Sequence, residues 1–157
     1  MHYDDLTSCI YFGPEAAEKL TAIGWLEAEH PYTRATVSAP VLDKLFELLT
    51  KPWNASYFMG YHDCALCDYD RWDVTYKNQC ISAGNLNLFV PGDGFLYVMP
   101  SLAAHYILAH GYAPPREFCD AVLRCPPMGS EDYFRAIVAN GPPRYAEFAR
   151  KHLVGSA

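Results

Sequence analysis

Three proline pairs do most to limit what this chain can fold into. They stand at Pro114-Pro115, Pro126-Pro127 and Pro142-Pro143. A proline removes one backbone donor and blocks the ladder behind it, so a helix begins or ends at each pair. From Pro114 to Cys125 the inward set is Phe118, Ala121, Val122 and Leu123. Ser130-Glu131-Asp132 supplies a cap and an acidic first turn for a helix that runs to Asn140 and stops at Gly141. Pro142-Pro143 then opens a last amphipathic helix through Leu153. Just upstream, Ser101 stands where an N-cap belongs and Gly111 where a C-cap belongs, which delimits a helix over 102–110. The C-terminal half is expected to be helical.

The first half carries strand signals instead. Residues 85–90 and 95–99 flank Pro91-Gly92-Asp93-Gly94, whose glycines supply the positive φ of a tight turn, so a β-hairpin is expected near 85–99. Residues 8–12 and 22–27 are β-branched and aromatic runs that read as two more strands. Pro14–Leu20 has helix formers over barely two turns, and 40–49 places apolar residues on one broad helical face before Lys51-Pro52 ends it. Asp68–Asp73 has no periodicity and reads as loop. No repeat or linker divides the chain. The expectation is one α+β domain over 1–157, a small antiparallel sheet with a helical C-terminal half.

A chain of 157 residues, 51% hydrophobic and 19% charged, buries a sizeable core without staples. Its net charge of −6 argues against nucleic acid, because scattered Lys and Arg cannot neutralise phosphates, and suits a basic protein partner. Twelve tyrosines fit an interface, since the ring packs while the hydroxyl finds a partner. No apolar run approaches the roughly 18 residues of a membrane helix, and Met1-His2-Tyr3-Asp4-Asp5 has no signal pattern, so a cytoplasmic protein is expected.

The chemistry concentrates between residues 60 and 111. Cys64 and Cys67 form a Cys-x-x-Cys pair with His62 two residues before it. Thiolates at this spacing chelate one Zn²⁺, and a tetrahedral site then needs two more nitrogen or sulfur ligands. The pool is His62, His105, His110, Cys80, Cys119 and Cys125. His105 shares a helical face with Leu102, Tyr106 and Ala109 and so points inward, whereas His110, five residues on, does not form the i, i+4 pair of helical zinc sites. The favoured ligand set is His62, Cys64, Cys67 and His105. The bland alternative is a pair of reduced packing thiols. A redox pair is disfavoured, because Asp68-Tyr69-Asp70-Arg71 is not the apolar helix such thiols cap. For catalysis, Asp63, Asp68 or Asp70 would serve as base. The His-Glu-x-x-His, zinc-deaminase, phosphate-loop and Gly-x-Ser-x-Gly motifs are all missing from the sequence. Trp25, Trp53 and Trp72 read as core or rim aromatics.

Gly60-x-His62-x-Cys64-x-x-Cys67, Gly84-Asn85-Leu86 with Val90-Pro91-Gly92, His105-Tyr106-Ile107 with His110-Gly111-Tyr112-x-Pro114-Pro115-x-Glu117-Phe118, and Cys125-Pro126 together resemble an uncharacterised family of small single-domain bacterial proteins. The resemblance covers about residues 60–128. It implies a bacterial cytosolic protein and makes His62, Cys64, Cys67 and His105 look like a set, without supplying a substrate. Three functions are expected in order: a non-enzymatic protein-binding protein, for instance a toxin-neutralising immunity protein, with a structural zinc; a zinc-dependent hydrolase or lyase; and a thiol-redox protein.

Overall fold

A computed structural model describes residues 1–55, 62–69 and 73–154. Gly60, Asp70, Arg71 and Trp72, which entered the readings above, lie outside the described residues. In chain order the elements are α1 (Pro14–Ala17), β1 (Leu20–Ala22), α2 (Ala39–Thr50), β2 (Asp73–Tyr76), β3 (Gln79–Ser82), β4 (Asn87–Pro91), β5 (Leu96–Pro100), α3 (Ala103–His110), α4 (Arg116–Arg124), α5 (Glu131–Asn140) and α6 (Pro143–Val154). This is an α+β fold, and its C-terminal half after β5 is helical.

The expected hairpin is β4–β5, paired antiparallel with Phe89 opposite Val98. Four successive residues of each strand are buried, so neither shows alternation; strands covered on both faces read as continuous apolar runs. The sheet is mixed rather than purely antiparallel. Its order is β1-β5-β4, and β1 runs parallel to β5 with Thr21 opposite Tyr97.

The two early strands differ from expectation. Residues 8–12 form no strand, only an isolated bridge from Ser8 to Thr21: the Cys9 N–H still donates to the Leu20 carbonyl, but the chain then turns, with the Gly13 N–H on the Ile10 carbonyl at 3.0 Å. The strand expected over 22–27 lies earlier, at β1, and stops short of Gly24, whose φ of 75° is incompatible with extension. The hairpin β2–β3 had no expectation: its turn uses Lys77 at a φ of 52° rather than glycine, and its strands have four residues each. It is held by α2, where Phe46 stacks on Tyr76 at 4.6 Å and Asp43 accepts from Tyr76 Oη and Lys77 Nζ.

The proline pairs act as punctuation. Pro115 occupies the N-cap position of α4, and α5 and α6 pack together across the Gly141-Pro142 break. Ser130 caps α5, accepting from the Tyr133 N–H at 3.2 Å. Gly141 ends α5 in an extended conformation, not a left-handed one. Gly111 ends α3 in the left-handed conformation, with φ 66°.

The N-terminal segment is tied in by Asp5, whose carboxylate accepts from the Gly24 N–H at 2.8 Å and the Tyr112 hydroxyl at 2.7 Å. Tyr112 is fully buried, so Asp5→Ala orphans its hydroxyl and is expected to cost about 1–3 kcal/mol in denaturant unfolding. Burial, the largest influence, raises the Asp5 carboxyl above its usual 3.8 despite the hydrogen bonds. A raised folded-state value means the stabilisation is complete below that usual value and declines as pH rises through the folded one. The gap between wild type and Asp5→Ala should therefore be widest near pH 3 and narrow toward neutrality; a gap that widens with pH would contradict this.

Candidate metal centre

The Cys-x-x-Cys loop lies against α3. The His62 N–H donates to the Gly84 carbonyl at 2.8 Å, which fixes the loop's entry, and the Leu66 N–H donates to Cys64 Sγ at 3.3 Å. An N–H aimed at sulfur favours the thiolate, the form that binds metal. From α3, His105 Nε2 lies 3.4 Å from Cys67 Sγ and His110 Nε2 lies 3.5 Å from Cys64 Sγ. The four ligand atoms all fall within 4.8 Å of one another. With zinc bonds of ordinary length at tetrahedral angles, a sulfur–nitrogen edge measures about 3.6 Å. The observed spacings match it.

His105 is buried and stacked on Tyr69 at 4.1 Å, which fixes its ring. His110 meets it nearly edge-on, with ring centroids 5.1 Å apart. Five residues normally separate two histidines around a helix, but His110 is the last residue of α3, so no following turn constrains its side chain. Burial first, then His110, lowers the affinity of His105 for a proton; for His110 the causes are burial and then Arg34. A lowered proton affinity favours the neutral imidazole, the form whose lone pair binds metal. Burial raises the Cys64 thiol. Cys64 is buried and Cys67 exposed, so the cluster sits at the surface end of α3.

His62, expected as a ligand, is not among the four; His110 stands in its place. The His62 ring instead meets Tyr11 at 6.4 Å and lines a cavity of about 140 Å³. Among the described residues the other thiols are elsewhere: Cys80 beside Asp73, Cys119 on the Pro114 carbonyl and Cys125 buried near Lys44. Of the proposed bases, Asp63 lines the cavity and Asp68 is exposed.

The cavity lies beside the cluster, and none of the four converging residues lines it. Its walls are the loop residues His62, Asp63 and Ala65, the segment Gly84–Asn87, and Tyr106 of α3. Ser101 secures the second wall. The expected cap of α3, it instead accepts from the Gly84 N–H at 3.1 Å and the Leu86 N–H at 3.2 Å, while Leu102 takes the N-cap position without a side-chain bond. Ser101 is 1% exposed, so Ser101→Ala orphans two amides and should cost about 1–3 kcal/mol, read from the urea midpoint. A cost within about 0.5 kcal/mol, usual for a surface site, would contradict that role.

An α+β domain whose Cys-x-x-Cys loop and helix end converge four nitrogen and sulfur donors is a candidate metal protein of the Cys₂His₂ type, compatible with zinc. The chain belongs to the family described as Domain of unknown function (DUF7919), whose model matches residues 1–123. That match contains all four converging residues and ends within α4. No curated protein and no solved structure matches the chain. Among the described residues no helix is long and apolar enough to cross a membrane.

Proposed function

We propose that the protein is a non-enzymatic binding domain in which a structural zinc, held by Cys64, Cys67, His105 and His110, clamps the Cys-x-x-Cys loop onto α3. The observation that carries this reading is the number of donors. Four protein ligands complete a tetrahedron, whereas a catalytic zinc keeps one position for water. A hydrolase reading is disfavoured further because the adjoining cavity is lined by none of the four. The redox reading is disfavoured because Cys64 and Cys67 lie in a loop rather than at a helix start. The partner we assign is a protein with a basic surface, supported by the net charge of −6. A toxin-neutralising role is one form of such binding and has that charge as its sole support.

Elemental mass spectrometry on freshly purified protein tests the reading. About one zinc per chain is expected, and its removal by chelator should lower the melting temperature by several degrees while the helical signal persists at 25 °C. No metal at all would overturn it. An activity lost on chelation with the melting temperature unchanged would favour the catalytic alternative.

A further inference from the structure

Two wall residues of the 140 Å³ cavity carry polar groups that the protein leaves unpaired. Tyr106 is 4% exposed and Asn87 is 8% exposed. Among the described residues the Tyr106 hydroxyl makes no hydrogen bond; at Asn87 the backbone N–H is bonded to Asn54 Oδ1, but the side-chain amide has no partner. Both residues line the cavity, and neither polar group is sealed from solvent. Polar groups with no partner in the protein bond to water or to a ligand that replaces it. Two such groups on one cavity leave hydrogen-bonding capacity there for a ligand to take up.

The remaining lining sets the ligand's chemistry. Glu27 and Asp63 place carboxylates on the wall, and among the described residues no Lys or Arg lines the cavity. The Met1 ammonium, also at the wall, rests on Glu27. An anion would be repelled. Tyr11 and Trp25 add aromatic surface, their ring centroids 5.1 Å apart, and the indole is held in place by donating Nε1–H to the Val98 carbonyl at 3.1 Å. Aromatic faces and carboxylates both attract organic cations. A volume of 140 Å³ approaches that of cavities that hold one benzene ring, which admits a planar head group and its stem but not a larger ligand. Among cations, a guanidinium is planar, stacks on rings and carries five donors. Those donors match the acceptor oxygens of Tyr106 and Asn87, while the carboxylates add attraction for the charge.

We propose that this cavity is a binding site for a guanidinium group, supplied by a free small molecule or by an arginine side chain of a partner. The proposal deepens the binding function above and rests on it in one respect, since the proposed zinc would hold the loop that forms one wall.

Calorimetric titration of the purified protein with agmatine, with a blocked Gly-Arg-Gly peptide and with the matching Gly-citrulline-Gly peptide tests it. Citrulline keeps the shape and removes the charge. Saturable binding of agmatine or the arginine peptide is expected, at least about tenfold tighter than the citrulline peptide, and whichever of the two binds tighter identifies the source. Tyr106→Phe and Asn87→Ala should each weaken it by about fivefold to a hundredfold, with circular dichroism confirming that the variants fold. Tyr106→Phe removes a single oxygen and is the variant to trust if Asn87→Ala unfolds. Equal binding of arginine and citrulline peptides, no saturation up to about 10 mM, or unchanged affinity in Tyr106→Phe would overturn the proposal. Zinc content measured on the same sample separates the two readings. Binding without zinc sinks the structural metal alone, and zinc without binding sinks the guanidinium site alone.

Discussion

His110→Ala should purify with less than about a tenth of the zinc carried by the wild type, whereas His62→Ala should keep all of it. Losing an outer partner of a metal ligand already weakens binding by about 10- to 100-fold, and losing a ligand weakens it more. The contrast between these two histidines is the sharpest available, because the sequence favours His62 and the geometry favours His110. His110 Nε2 stands 3.5 Å from Cys64 Sγ, while the His62 ring is turned to Tyr11 and the cavity. Cys64→Ala and His105→Ala should behave as His110→Ala does. The reverse result, zinc lost with His62 and kept without His110, would move the metal to the cavity side of the loop. In either case the centre of the fold should survive, since β4 and β5 pair with each other and each buries four successive residues.

Gly24→Ala should destabilise the protein by about 2–5 kcal/mol, seen as a lower denaturant midpoint with an unchanged slope. Two costs combine there. The backbone φ of 75° charges any side chain roughly 1–2 kcal/mol. The added carbon would also stand 2.8 Å from Ala103 Cβ and 3.4 Å from Met99 Cγ, an overpacking worth about 1–3 kcal/mol. Ala103 begins α3, so relief of the clash requires a shift of the helix that carries His105 and His110. Reduced metal content should accompany the loss of stability. A variant within about 0.5 kcal/mol of wild type would show that α3 can move at little cost.

The candidate site was partly legible. Cys64 and Cys67 are singled out by their spacing, and His105 by its place on the inward face of a helix with clear ends. Sequence does not point to His110, because a five-residue interval fails the helical rule, and that rule does not hold a residue at a helix terminus. Sequence favours His62 because it stands next to the thiols, but its ring meets Tyr11 and lines the cavity. The cavity left no trace in the sequence, since its walls come from segments as far apart as Tyr11 and Tyr106.

By itself the sequence determined the α+β class, the hairpin over β4 and β5, and the helices from α2 onward. Prolines, caps and apolar spacing act within a few residues, and their effects can be summed along the chain. Only the tertiary structure decided that β1 joins β5 in parallel, that Ser101 grips the Gly84–Leu86 backbone instead of capping α3, and that two histidines meet two thiols about 40 residues away. Each of these depends on distance in space, which is set by packing of the whole core and not by any interval in the sequence.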